Sequence, residues 1–274
     1  MTHSPTPLLN RFAILPALFG RSSELLRAAY RSGTIETHTK EMLSPMVTAT
    51  DRAVERALRE LIAVSFPDDA ILGEEEALTS GSSPYQWVID PIDGTSSLVR
   101  GLPLFGTLIG CIDRSTNEIL FGGADQPILG ERLTAVRGAP SRWNNKIITN
   151  PYREESSWSL ADICICATTP QMFTTAAERA VIEAVTIECR RTAWGGDWYN
   201  FALMIGGKSA VPLAIVEAGL QFYDICALVP IIEEAGGVMT DWQGAAITPA
   251  TSQVIAAPNR SLWSELLGVV RGVA

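Results

Sequence analysis

Apolar positions along this chain follow two spacings, and the switches between them mark out the elements. Residues 7–30, PLLNRFAILPALFGRSSELLRAAY, are apolar but interrupted by Arg11, Pro16 and Arg21, which predicts an amphipathic first helix or a pair of helices. Residues 48–63 place Val54, Leu58, Leu61 and Ile62 on one helical face with charges opposite, and Thr48 or Thr50 can cap the start. Residues 70–72 read as a short strand, and Trp87, Val88 and Ile89 as the end of a buried one. The runs LFGTLIGCID, EILFGGADQP and GERLTAVRGA then read as three strands joined by turns at Asn117 and Gly130.

Further on, TTPQMF reads as a helix start, with Thr168 or Thr169 as cap and Pro170 in the first turn. The GGD of residues 195–197 opens another helix whose first turn carries Asp197. Asp224 heads a strongly apolar helix (Ile225, Leu228, Val229, Ile232) that ends at Gly236 and Gly237. Residues 238–240 form a closing strand, residues 241–244 a turn, and residues 261–270 a final helix capped near Ser261. Helices and strands thus alternate along the chain, which is consistent with a layered α/β (α+β) fold.

The chemistry concentrates at residues 87–105, WVIDPIDGTSSLVRGLPLF. Asp90 and Asp93 stand three residues apart around Pro91, at the end of an apolar run, and Gly94, Thr95 and Ser96 follow as a turn that can open a helix. Carboxylates at a buried strand end are costly unless something positive meets them. With the Ile92 carbonyl they would form the hard-oxygen environment that Mg²⁺ selects, and the N–H groups of Gly94 and Thr95 at a helix start would suit a phosphate. Asp, Pro and Gly are equally the ordinary residues of a surface turn. The residues alone leave both readings open.

DPIDGT followed by GLPLF resembles the metal-binding signature of the inositol-monophosphatase superfamily. ADQPILGER, ATTPQMF and WGGDWYNFALMIGG resemble its histidinol-phosphate phosphatase branch more than its inositol branch. The resemblance runs from about residue 40 to residue 270, and no internal repeat or linker breaks it, so two tightly packed halves, about 1–150 and 151–274, are expected to form one domain. The fold it implies is an αβαβα sandwich with mixed sheets. The activity it implies is Mg²⁺-dependent hydrolysis of a phosphate monoester, with L-histidinol phosphate ahead of myo-inositol phosphate, in a cytoplasmic homodimer.

By the same resemblance, Glu74 of the GEE motif, Asp90 and the Ile92 carbonyl would hold a first metal ion. Asp90, Asp93 and Asp224 would hold a second. Two such ions lower the pKa of the attacking water and neutralise charge. Thr95 would orient the water through Glu74, with Asp93 beside it, and Gly94, Thr95 and Ser96 would hold the phosphate. Asp197, Glu217 and Asp224 would meet the substrate, Asp197 at a cationic amino or imidazole group. Each has a plain alternative: a solvated acidic turn for Glu74, a carboxylate stabilised at a helix start for Asp197, an exposed strand end for Glu217, and an N-cap for Asp224.

In the loop before the 48–63 helix the family carries an Asp that helps place a third metal ion and the attacking water, so the resemblance implies two or three Mg²⁺ ions; this chain has Met42 there, with Glu41 beside it, and Ser97 replaces the family's usual Asn. These two departures support a rival reading as a catalytically weakened binding or regulatory protein.

The net charge of -9 argues against a general nucleic-acid surface. The five cysteines are scattered without zinc spacing and are expected to be reduced. Signal-peptide and membrane-spanning readings are disfavoured. With only His3 and His38 in the chain, and no P-loop, GxSxG or GxGxxG, a histidine phosphoenzyme or a Ser/His/Asp triad is disfavoured too.

Overall fold

The structure, a computed structural model, describes residues 5–32, 37–38, 47–154 and 158–273. Two helices open the chain, α1 (Pro5–Ala13) and α2 (Leu15–Ser32), so the first apolar stretch is a pair. A two-stranded antiparallel ladder, β1 (Thr37–His38) with β2 (Val47–Thr48), leads into α3 (Ala49–Ser65). The helix thus begins after Thr48 and contains Thr50. The loop around Met42 lies outside the described residues.

A seven-stranded sheet follows in sequence order: β3 (Ala70–Gly73), β4 (Tyr85–Asp93), β5 (Gly106–Asp113), β6 (Ile119–Gln126), β7 (Glu131–Val136), β8 (Arg142–Trp143) and β9 (Lys146–Ile147). Only β3 and β4 pair in parallel. The short helix α4 (Thr95–Val99) branches off between β4 and β5. Asn117 and Gly130 turn the chain between strands with φ of 59° and 66°.

The second sheet has five strands in the order β11–β10–β12–β14–β13. In chain order its parts are β10 (Cys164–Ala167), α5 (Ala176–Glu188), β11 (Arg191–Trp194), α6 (Tyr199–Gly206), β12 (Leu213–Glu217), α7 (Phe222–Ile225), α8 (Leu228–Glu233), β13 (Val238–Asp241), β14 (Val254–Ala257) and α9 (Arg260–Val273). β13 is an edge strand, and the missed β14 lies between it and β12. TTPQMF forms a single 3₁₀ turn capped by Thr169, and α5 starts later on the Thr175–Glu178 capping box. Asn259, through its Oδ1, caps α9 in place of Ser261.

The period-2 alternation of the strands distributes their side chains between three cores. Trp87 and Ile89 of β4 face α1–α3, where Leu18, Phe19, Leu58 and Ile62 cover them, while Val88 faces the opposite layer. In β12, Ala214 and Val216 face α5 and α9, and Leu213 and Ile215 face the centre. Between the sheets, Met204, Ile205, Leu228 and Ile232 from α6 and α8 fill the middle layer. Helix, sheet, helix, sheet, helix is the observed order, the sandwich that the resemblance implies.

The middle helices sit very close to the first sheet. A Cβ on Gly122 would lie 1.9 Å from the Ala227 carbonyl oxygen, and one on Gly110 would lie 2.6 Å from Cys226 Sγ. Both glycines are required by this approach of the α7–α8 junction. Gly122→Ala should therefore push that junction off the sheet and destabilise the protein by about 1–3 kcal/mol, measured as a lowered urea midpoint.

Candidate active site

β4 does not end at Ile89. It runs on through both aspartates, with Asp90 opposite Leu108, Asp93 opposite Gly106, and a register shift between them. Pro91, which has no N–H to give a ladder, sits in this irregularity, and its carbonyl accepts a 2.9 Å bond from Thr107 Oγ1. Gly94 then turns the chain at φ +85° into α4. A Cβ there would lie 2.7 Å from the Leu104 carbonyl oxygen and 3.1 Å from Asp197 Oδ2, so the turn and the approach of Asp197 both require glycine.

Thr95 Oγ1 lies 2.9 Å from the Ile92 carbonyl oxygen and 3.1 Å from Asp51 Oδ1, and its one proton serves one of them at a time. The carboxylate facing this hydroxyl is Asp51, in place of the expected Glu74. Ser96 is exposed, whereas the next residue, Ser97, is buried and donates to Asp197 Oδ2 at 3.0 Å.

Glu74 directly follows β3, whose Gly73 pairs with Ile89, and this brings Glu74 beside Asp90. The turn is fixed from behind by buried Glu55, which accepts from the N–H groups of Glu75 and Glu76 at 2.7 and 3.1 Å and from Arg59 Nε at 2.7 Å. Asp224 is not the N-cap of an apolar helix. It is the third residue of α7, and its Oδ2 accepts from the N–H of the cap residue Gln221 at 2.7 Å. Asp197 lies just before α6, with φ 45°, and Trp198 N–H donates to Asp93 Oδ1 at 3.0 Å. Glu217, at the end of β12, is buried and accepts from Thr168 N–H and Oγ1 at 2.9 and 2.7 Å. The exposed strand-end alternative for Glu217 is therefore wrong.

These carboxylates share one electrostatic environment. Burial, then the charges of Asp224, Glu75 and Asp51, raise Glu74 to about 8. Burial, then Glu74, Asp93 and Asp224, hold Asp90 well above the usual carboxylate range. Burial and Asp197 raise Asp93, burial raises Asp224 to about 6, and burial raises Glu217 to about 7.

Among the described residues no ion pair reaches Glu74, Asp90, Asp93 or Asp224, and Asp90 Oδ1 is buried without a hydrogen-bond partner. No three acidic side chains among the described residues close on one point at metal-ligand spacing. The group is gathered at the β4 turn without closing on a single point. Buried carboxylate oxygens, one of them unpartnered, beside a carbonyl with a spare lone pair are a donor set that fits a hard divalent cation. A cavity of about 600 Å³ lies elsewhere, between Pro140, Asn150, Arg153 and Glu234, and holds none of this chemistry.

The sequence profile of the Inositol monophosphatase family matches residues 11–273. The chain belongs to the inositol monophosphatase family. It is similar to bifunctional phosphatase IMPL2, chloroplastic, of Arabidopsis thaliana, at 36% identity over 86% of this chain and 66% of that protein's length. It is also similar to a histidinol-phosphatase of Mycobacterium tuberculosis, at 31% identity over 92% and 94%, and to Nus factor SuhB of Haemophilus influenzae, at 30% identity over 88% of each. A solved inositol monophosphatase of Zymomonas mobilis superposes with a TM-score of 0.81 at 31% identity, covering 98% of this chain and 100% of that one.

As a phosphatase of this family, the chain draws its acidic site from the DPIDGT turn, the GEE turn and the Asp224 helix. Asp51 and Thr168 were missed because each reads as an ordinary residue of a helix or loop. The available signal for Asp51 is an acid in the first turn of an otherwise well-patterned helix, where it is 1% exposed.

The raised carboxylates fix the sign of a pH effect. A folded-state pKa above the unfolded value gives stability that is complete below the unfolded pKa and is lost as pH rises through the folded one. With Glu217 raised from 4.5 to about 7 and Glu74 from 4.5 to about 8, the metal-free protein should lose stability as pH rises from about 5 to 8. Urea unfolding in chelator across that range measures it; a midpoint that rises with pH would contradict the arrangement.

Proposed function

We propose that this phosphatase hydrolyses a phosphate monoester whose alcohol carries a positive charge, most specifically L-histidinol phosphate, with Mg²⁺ as its cofactor. The observation that carries the reading is the placement of Asp197 Oδ2 over the Gly94 turn, with Glu217 and Asp224 beside it. A phosphate held at the turn would then put the alcohol's amine against carboxylates. A neutral polyol would leave buried Glu217 without a partner of opposite charge. The similarity to histidinol-phosphatases supports the same reading.

Glu74, Asp90 and the Ile92 carbonyl would hold one Mg²⁺, and Asp90, Asp93 and Asp224 a second. Bound there, Mg²⁺ would neutralise the carboxylates, polarise the phosphate and lower the pKa of a water. The chain's own part is positional and acid–base. Thr95 Oγ1 can give its proton to Asp51 Oδ1 while accepting one from a water on the phosphate side. The N–H groups of the cap residue Gly94 and of Thr95, at the start of α4, would donate to phosphate oxygens. The same reading takes the protein as a cytoplasmic homodimer acting on a small phosphate, with neither nucleic acid nor membrane as partner. No helix among the described residues is long and apolar enough to cross a membrane.

A second reading, myo-inositol 1-phosphate as substrate, uses the same metal-binding carboxylates and differs only in what Asp197 meets. Phosphate release from the two esters, side by side with and without Mg²⁺, separates them. Histidinol phosphate should be preferred by at least about tenfold in kcat/KM, which corresponds to about 1.4 kcal/mol. Asp197→Asn should reduce kcat/KM on histidinol phosphate about tenfold more than on the inositol ester; equal losses would remove the amine role. Release from neither ester, with Mg²⁺ binding intact by calorimetry, would favour a binding protein such as the similarity to SuhB suggests.

A further inference from the structure

The loop that carries Asp197 is held in a costly backbone shape from both sides of the cleft. Gly195 and Gly196 have φ of 90° and 99°, and Asp197 follows at 45°, a conformation that residues with side chains seldom adopt. Such a shape persists when surrounding bonds over-determine it. Gly195 N–H reaches the carbonyls of Ala167 and Thr168 at 3.1 and 2.9 Å, and Asn200 Nδ2 donates to the Gly195 carbonyl at 2.8 Å. Trp198 N–H holds Asp93. Of the bonds in this group, only the one from Ser97 Oγ reaches the Asp197 carboxylate, at 3.0 Å.

Ser97 belongs to α4, the helix opened by Gly94, and is 5% exposed. Its hydroxyl ties the oxygen that lies over the Gly94 turn. Asp93 and the Arg100 guanidinium are charged neighbours of Asp197, and the Ser97 hydroxyl is the hydrogen-bond donor that fixes the direction of its carboxylate. Adjacent carboxylates repel, and a separate donor for each offsets that repulsion. Trp198 N–H supplies one for Asp93 and Ser97 supplies one for Asp197. One hydroxyl proton occupies a single lone pair of Asp197 Oδ2, so the carboxylate keeps acceptors for a ligand.

We propose that Ser97 is a positioning residue that fixes the Asp197 carboxylate over the phosphate-binding turn and thereby selects phosphate esters of cationic alcohols. The inference rests on the amine role of Asp197 given above. It also changes the meaning of serine at this position. A weakened site is one explanation of the departure from asparagine; a short hydroxyl donor fitted to an acidic neighbour is a specific gain.

The test is the steady-state kinetics of the Mg²⁺-loaded wild type, Ser97→Ala, Asp197→Asn and the double variant on L-histidinol phosphate and myo-inositol 1-phosphate. Ser97→Ala should raise KM for histidinol phosphate about tenfold with a smaller change in kcat, the scale of a hydrogen bond to a charged group. On the inositol ester its effect should stay below about threefold. In the Asp197→Asn background it should add no further loss on histidinol phosphate.

A purely structural serine predicts equal losses on both esters, and independent action predicts additive losses in the double variant; either result overturns the role of Ser97 while the wild-type preference stands. A wild type with no preference overturns the substrate reading itself, and the selectivity role with it. Urea midpoints report whether each variant folds. Should Ser97→Ala fail to fold, Ser97→Thr, which keeps the hydroxyl, carries the test. Retained selectivity in Ser97→Thr supports the role and lost selectivity overturns it.

Discussion

Repulsion among Glu74, Asp90, Asp93, Asp197 and Asp224 is the constraint that the surrounding structure answers. Each is buried or half-buried, and burial drives every one of their pKa values upward; neighbouring carboxylates add to this at Glu74, Asp90 and Asp93, while Arg100 acts the other way at Asp197. What holds them is a set of individual donors. Gln221 N–H holds Asp224, Trp198 N–H holds Asp93, and Ser97 Oγ holds Asp197. Glu74 is fixed one step back, by the bonds that buried Glu55 makes to the turn that follows it. A cluster of this kind, with one Asp90 oxygen buried and unpartnered, has the donor chemistry that a hard divalent cation fits.

The sandwich brings these groups together through one rule of strand direction. Glu74 follows β3, Asp90 and Asp93 end β4, Thr168 follows β10, Asp197 follows β11 by a short glycine turn, and Glu217 ends β12. These are the strands that pair in parallel, β3 with β4 and β10 with both β11 and β12. Their carboxyl ends face one cleft, where open α/β sheets generally place their ligands. The antiparallel part of the first sheet, β5 to β9, contributes support instead. Thr107 braces the bulge at Pro91, and the glycines of β5 and β6 let the α7–α8 junction come down onto the sheet beside Asp224.

Much of the fold was legible along the chain, where periodicity is local. The first helix pair, α3, β5, β6 and β7 each show apolar spacing over enough residues to be read. The second sheet was harder. β10 and β14 are four-residue runs, CICA and VIAA, in which every residue is small or apolar, so no alternation marks them. β13 was read as closing the sheet because its partner β14 was invisible. TTPQMF has the cap and proline of a helix start, yet the turn ends after three residues because the capping box at Thr175 and Glu178 offers a better start further on.

The sequence by itself determined the acidic turn, the small residues after it and the family they resemble, because an acidic corner leading into a glycine turn is a local matter of residue type. Only the tertiary structure decided which carboxylate meets which donor. Thr95 faces Asp51 across 44 positions of chain, Ser97 faces Asp197 across 100, and Asp93 meets Trp198 across 105. None of these distances leaves a periodic trace. They arise because two sheets and the helices between them stack, so that parallel strands far apart in the chain end at the same place.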